Sequence, residues 1–205
     1  MDLSSKISEL KEKAMRTLEQ FLLSCLSSSD ARSRKRGSLL CYWIIDYIRF
    51  LQQEQRVHTF RIYKRGTIVS VHLGYRIGSE EGCLHYGVVL NKKDSSKNPV
   101  LTIVPLTSLK SAEQIQRLKP GCVFLGSELL KLLMEKHKVA PSPALANEIN
   151  KLKWGSIALP NQIVTISKLR IYGPISKDSP LYGIRFSSES LDEIDRVIQK
   201  MFIHA

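Results

Sequence analysis

The chain has 205 residues, of which 43% are hydrophobic and 24% charged, with 31 Lys+Arg against 19 Asp+Glu and a formal net charge of +12. That composition excludes wholesale disorder and leaves enough apolar material for a buried core. The positive surplus excludes an acidic solvating protein and points to a polyanionic partner, nucleic acid first and an anionic membrane surface second.

Residues 3–26 place Leu3, Ile7, Leu10, Ala14, Leu18, Phe21, Leu22 and Cys25 at steps of three and four, which predicts an amphipathic helix. Ser27 to Asp30 breaks it, the basic run Arg32 to Arg36 follows, and Leu40, Ile44, Tyr47, Ile48 and Leu51 form a second stripe. The pair reads as an αα-hairpin with the basic run as the polar turn between helices, although such a run also suits RNA or an acidic protein segment. Trp43 and Tyr47 fit the core side of the second helix. Residues 39–51 are the most apolar stretch, but Asp46 and Arg49 interrupt it well short of the roughly 18 residues of a membrane span. The start Met1 to Ser5 lacks the basic and apolar segments of a secretion signal. Cys25, Cys41, Cys83 and Cys122 form no C-x-x-C pair, so reduced thiols in a cytoplasm are expected rather than a zinc cluster or disulfide framework.

Near residue 60 the period changes. Thr67 to Leu73 alternates at period two, Gly74 to Gly82 is a glycine-punctuated loop, and Leu84 to Leu90 reads as a second strand. Asn91 to Pro99 forms a long hairpin tip before a third strand, Val100 to Leu106, and three short strands joined by turns suggest a small barrel. Further on, Cys122 to Leu125 is a candidate strand, Glu128 to Lys138 a helix, and Leu145 to Leu152 a weaker one after Pro141 and Pro143. Strand character returns at Gly155 to Leu159 and Gln162 to Ile166. The chain closes on a helix from Ser187 to Phe202, with Ser188 as a candidate cap and Glu189, Asp192 and Glu193 suiting its positive end.

Charge divides along the same line. Residues 1–65 carry 13 basic and 7 acidic side chains, so the helical arm is the denser part; residues 82–177 carry 14 and 5, which predicts a basic face on the sheet.

Four segments in order carry a family resemblance. Lys64 to Gly74, the loop Ile77-Gly78-Ser79-Glu80-Glu81-Gly82 with the strand Tyr86 to Leu90, Val104-Pro105-Leu106-Thr107-Ser108, and Leu159 to Arg170 together resemble the MazF/PemK toxins of bacterial type II toxin–antitoxin pairs. The resemblance implies an α+β fold, an SH3-like small β-barrel with appended helices. It would span residues 61–205 with a helical insertion at about 126–152, and residues 1–60 would be an N-terminal helical hairpin extension. It also implies a homodimer that cuts single-stranded RNA without metal, leaves a 2′,3′-cyclic phosphate and a 5′-hydroxyl, and is held in check by a cognate acidic antitoxin. The alternative is a non-catalytic barrel that binds a nucleic acid or protein target, since fold alone does not fix function. A cytoplasmic protein with no membrane partner is expected.

Metal-free RNA cleavage needs a base for the 2′-hydroxyl, an acid for the departing 5′-oxygen and donors for the charge that builds on phosphorus. His85 stands where the family has an arginine and is followed by Tyr86 instead of proline; an imidazole can give or take a proton near neutral pH. The change either supplies a new proton donor or leaves binding without cleavage. Thr107 matches the family's threonine at the end of the third strand. Glu80 is a candidate to accept a proton or orient His85, with Ser79, Arg76, Lys92, Lys93 and Gln162 as candidate substrate contacts and Lys97 as a further loop cation. Glu80 and Glu81 also read as a solvated loop pair, and Trp154 as either core or a stacking platform. His58, His72, His137 and His204 lack metal-ligand spacing, and neither metal nor cofactor is expected.

Overall fold

Helical periodicity in the first quarter and strand alternation beyond it separate the chain into two compact units, Met1–Arg49 and Phe50–Ala205. The computed structural model describes residues 2–203 except Lys153, so His204 lies outside the described residues.

The first unit holds α1 (Leu3–Ser27) and most of α2 (Ala31–Glu54). The basic run Arg32 to Arg36 is not a turn: it occupies the opening turns of α2. The cap comes immediately before it, where the Asp30 carboxylate accepts the Arg32 N–H at 3.0 Å and the Asp30 carbonyl accepts from Ser33 and Arg34. Arg34 Nη1 reaches back to the Ser28 carbonyl at 2.8 Å, covering an acceptor beyond the end of α1. Cations at the positive end of a helix oppose the helix dipole, so this placement is unfavourable for helix stability alone. The two helices meet near their turn, where a Cβ added at Gly37 would stand 3.0 Å from Cys25 Cβ. Farther out the apolar stripe is uncovered, with Leu3, Ile7 and Leu10 each more than half exposed. Tyr47 is also half exposed, against the expectation of core, and its ring is tilted by 36° to that of half-buried Trp43 with centroids 5.5 Å apart. No helix among the described residues is long and apolar enough to cross a membrane.

The second unit is built on seven antiparallel strands, β1 (Ile68–His72), β2 (Leu84–Val89), β3 (Val100–Ser108), β4 (Val123–Phe124), β5 (Ser156–Ala158), β6 (Val164–Ser167) and β7 (Ile171–Gly173). Their order is β4-β5-β3-β2-β1-β7, with β6 beside the first half of β3 and β5 beside its end, which gives a curled, barrel-like α+β sheet. Among the described residues four α-helices accompany it: α3 (Glu113–Gln116), α4 (Glu128–Val139), α5 (Pro143–Asn150) and α6 (Ser188–Phe202).

Both faces of the sheet are buried, which explains the nearly unbroken apolar run in β3. Ile68, Val88, Val104 and Leu106 pack with Leu129 and Leu133 of α4, Leu145 of α5 and Ile194 of α6. Their alternate neighbours Val69, Val71, Val89, Leu101 and Ile103 form a second cluster with Tyr63, Ile166 and Ile171. Each fully buried Leu, Ile or Val stabilises by roughly 1.5–3 kcal/mol relative to exposure.

Some local expectations shift. The strand expected from Gln162 begins at Val164 because Pro160–Gln162 is a 3₁₀ turn, so Gln162 precedes it, and one more strand, β7, follows at Ile171–Gly173. Ser187, not Ser188, caps α6, accepting the Ser190 N–H at 3.3 Å. Glu128 of α4 also holds this end, accepting the Ser187 N–H at 2.7 Å and the Ser190 hydroxyl.

Candidate functional site

The loop joining β1 to β2 sets the site. It closes on itself through Leu73 N–H to the Cys83 carbonyl and Cys83 N–H to the Gly74 carbonyl, both 2.7 Å. Cys83 adopts φ 63°, a left-handed conformation uncommon outside glycine, and the chain then enters β2 with His85 as its second residue. Tyr86 lies opposite Leu106 in the β2–β3 ladder, so His85 and Thr107 are the next residues along on neighbouring strands.

His85 is clamped at both ring nitrogens. Nδ1 lies 3.3 Å from the Leu106 carbonyl and Nε2 lies 3.3 Å from Glu81 Oε2. Each neighbour is an acceptor, so either ring nitrogen, when it carries a hydrogen, has a partner to donate to. Three-quarters of each partner's side chain is buried, which reduces solvent screening between them.

Glu80 does not face His85. Its side chain is 58% exposed, and its carboxylate pairs with Arg76 at 3.6 Å. Gln162 decides which of the two glutamates turns inward: its Oε1 accepts the Glu81 N–H at 2.6 Å, and its Nε2 donates to the Ser79 carbonyl at 3.1 Å. The 3₁₀ turn aims the Gln162 side chain across to this loop.

The predicted residues therefore fall into three places. His85 and Thr107 line one cleft of about 220 Å³, together with residues of α5 and β5. Arg76, Ser79, Glu80 and Gln162 line a second of about 420 Å³, and Glu81 belongs to that rim while reaching His85. Lys92 and Lys93 follow the far end of β2, in the hairpin tip away from His85.

That hairpin tip is held by a buried ion pair. Lys168 Nζ lies 2.8 Å from both Asp94 carboxylate oxygens and also donates to the Arg61 and Ser95 carbonyls. Burial by itself would raise the Asp94 pKa, but the hydrogen bonds from Lys168 and from the Tyr63 and Ser95 backbone outweigh it and hold the carboxyl below its ordinary value. Tyr63 stands beside it, its phenol pushed up to about 12 chiefly by burial. The Cys122 thiol is raised by burial and by Glu81 against the opposing Lys119, which disfavours a nucleophilic thiolate.

Residues that sequence reasoning passed over complete the first cleft. Glu148 of α5 pairs through Oε1 with Lys151 at 2.9 Å. Glu148 Oε2, the Tyr86 hydroxyl and Ser156 Oγ are buried with no hydrogen-bond partner among the described residues. Gly155, at φ 108°, fixes Ser156 in place: a Cβ there would sit 2.3 Å from the Gly126 carbonyl oxygen, which instead accepts the Ser156 N–H at 2.9 Å. Glu148 reaches the cleft beside β2 from α5, far along the chain, so no linear motif could have signalled it. Trp154 is not core: it is 56% exposed. No cluster of three or more His, Cys, Asp or Glu among the described residues is arranged to hold a metal.

Residues 64–202 match the family model for the PemK-like, MazF-like toxin of type II toxin–antitoxin systems. Among solved structures, MazF (Form-I) from Deinococcus radiodurans aligns at 14% identity and a TM-score of 0.40, covering 69% of this chain and 96% of that one. No curated protein sequence matches the chain. With the family model spanning well over half its length, the chain belongs to the PemK-like, MazF-like toxins of type II toxin–antitoxin systems.

Proposed function

We propose that the protein is a metal-independent endoribonuclease that cuts single-stranded RNA, acts as a homodimer, and is neutralised by a cognate acidic antitoxin. The observation that carries this reading is that His85, which shares a cleft with Thr107, is met at 3.3 Å by Glu81 from the rim of the neighbouring cleft. It brings a proton donor and a proton acceptor within reach of one phosphodiester, and the transfer needs one group for the attacking oxygen and one for the departing oxygen.

In the reaction, Glu81 takes the 2′-hydroxyl proton as O2′ attacks phosphorus. His85 gives a proton to the 5′-oxygen as the P–O5′ bond breaks, and the Thr107 hydroxyl donates to a non-bridging oxygen that gains charge. The products are a 2′,3′-cyclic phosphate and a 5′-hydroxyl. Passage of the proton from Glu81 to His85 across their contact then restores both groups. The imidazole thereby takes over the donor role of the arginine that the family places here. Arg76 and the exposed Trp154 are suited to a phosphate and a base respectively.

The test is incubation of the full-length protein with mixed-sequence RNA in EDTA. Cleavage supports the reading. Intact RNA that is nevertheless bound would overturn it in favour of a barrel that grips its target without chemistry.

A further inference from the structure

The cleft that holds His85 and Thr107 continues into a recess that proton transfer does not use. Tyr86 of β2, Glu148 of α5 and Ser156 of β5 line it, and the Tyr86 hydroxyl, Glu148 Oε2 and Ser156 Oγ are all without hydrogen-bond partners among the described residues. Unpaired buried polar atoms are uncommon in folded proteins, and three in one recess mark a place built for a polar partner. Ser156 is 1% exposed and held by the Gly155–Gly126 contact, so its hydroxyl cannot turn to bulk water.

We infer that Tyr86, Glu148 and Ser156 form a nucleobase subsite that selects bases carrying an exocyclic amino group over uracil. The inference rests on the RNA reading of the neighbouring groups and deepens it by assigning a source of sequence preference.

Size is the first argument. A cleft of about 220 Å³ far exceeds the roughly 30 Å³ share of one water yet falls below the roughly 300–1,000 Å³ of sites for drug-sized ligands. One flat ring system suits that interval.

Polarity is the second. Lys151 already occupies Glu148 Oε1, which leaves Oε2 as a carboxylate acceptor, while the two hydroxyls can donate or accept. Adenine, cytosine and guanine each offer an amino group to a carboxylate oxygen. Uracil places carbonyl oxygens on both sides of its single N–H, so it brings repulsion toward Glu148 and leaves the carboxylate poorly satisfied.

Rigidity is the third. Ser142 caps α5, accepting the Leu145 N–H at 3.2 Å with Pro143 at the first helical position, and Leu145 and Leu152 are 1% and 2% exposed. Glu148 is thus presented from an anchored helix, as a specificity residue should be. The recess lies beside His85 and Thr107, so a base seated there belongs to a nucleotide next to the scissile phosphate.

The experiment measures equilibrium binding of the full-length protein to oligodeoxynucleotides of ten adenines, ten cytosines or ten uracils. These lack the 2′-hydroxyl and cannot be cut. The expected result is binding of the adenine and cytosine strands about tenfold tighter than the uracil strand, the discrimination one charge-assisted hydrogen bond supplies. Glu148→Gln should narrow this to less than about threefold. Tyr86→Phe, which keeps the ring and removes only the hydroxyl, should narrow it in part. Equal affinity for all three strands, or a preference unchanged in Glu148→Gln, would overturn the inference. If RNA is cut but the base preference ignores Glu148, the subsite fails and the nuclease reading stands. If RNA is not cut but the preference is present and disappears in Glu148→Gln, the subsite stands and the nuclease reading fails.

Discussion

Glu81 Oε2 stands 3.3 Å from His85 Nε2, while Glu80, one residue earlier, turns outward to Arg76 at 3.6 Å. Adjacent residues of the same type are thereby separated in role by their surroundings. The inward one is three-quarters buried and its own N–H is fastened to Gln162; the outward one is mostly solvated.

This asymmetry gives a direct contrast. Glu81→Gln keeps the shape but removes the proton acceptor and should lower kcat for RNA cleavage by about 10²–10⁴-fold. Glu80→Gln disturbs a half-exposed ion pair, the kind worth at most about 1 kcal/mol, and should change kcat by less than about threefold. Single-turnover rates for the two variants separate them; equal losses would remove Glu81 from the proton path.

Gln162 acts through the loop. Gln162→Ala deletes both bonds that tie Ser79 and Glu81 to the 3₁₀ turn. We expect kcat to fall by about 10–100-fold from misplacement of Glu81, while stability drops by only about 1–2 kcal/mol. Cleavage kinetics and urea midpoints on the same sample check both parts.

The helical hairpin, the three leading strands, the helices α4 and α5 and the closing helix were legible because their periods are strong and their boundaries carry Ser, Pro and Gly signals. The basic run at Arg32 to Arg36 read as a turn because its composition is polar throughout, whereas the deciding residue is Asp30, one cap earlier. His85 and Thr107 line one cleft because each is the next residue beyond the Tyr86–Leu106 pair on neighbouring strands. Which glutamate faces His85 was not legible. It depends on the Cys83 backbone and on a side chain 81 residues away, contacts that no local pattern encodes. Glu148 and Ser156 were hidden for the same reason.

Asp94 supplies a pH-dependent element of stability. Its folded-state pKa is lowered, so its contribution is present in full above the unfolded value near 3.8 and is lost as pH falls through the lower folded value. Asp94→Asn leaves Lys168 buried with no carboxylate and should cost about 3–5 kcal/mol at pH 7. Below pH 4 the wild type progressively loses the same partner by protonation, so the difference should shrink. Urea unfolding at pH 7, 5 and 3 measures it, and a gap that widens toward acid would contradict the assignment.

Tyr86→Phe should raise the stability of the free protein. The hydroxyl it removes is buried with no hydrogen-bond partner among the described residues, so its loss relieves about 1 kcal/mol of desolvation cost and lifts the melting temperature by about 2–5 °C. Calorimetry without nucleic acid reads this directly. A fall in melting temperature would mean that the hydroxyl is already satisfied in the free protein.

The central claim is that His85 carries protons in a metal-free cleavage of RNA. It is tested most directly by treating RNA of mixed sequence with full-length protein in EDTA and identifying the chemical ends of the fragments. The account predicts 2′,3′-cyclic phosphate and 5′-hydroxyl ends from the wild type, and uncut RNA with a His85→Ala variant whose circular dichroism matches the wild type. Intact RNA with the wild type, cutting that appears only when a divalent cation is added, or undiminished cutting by His85→Ala would contradict it.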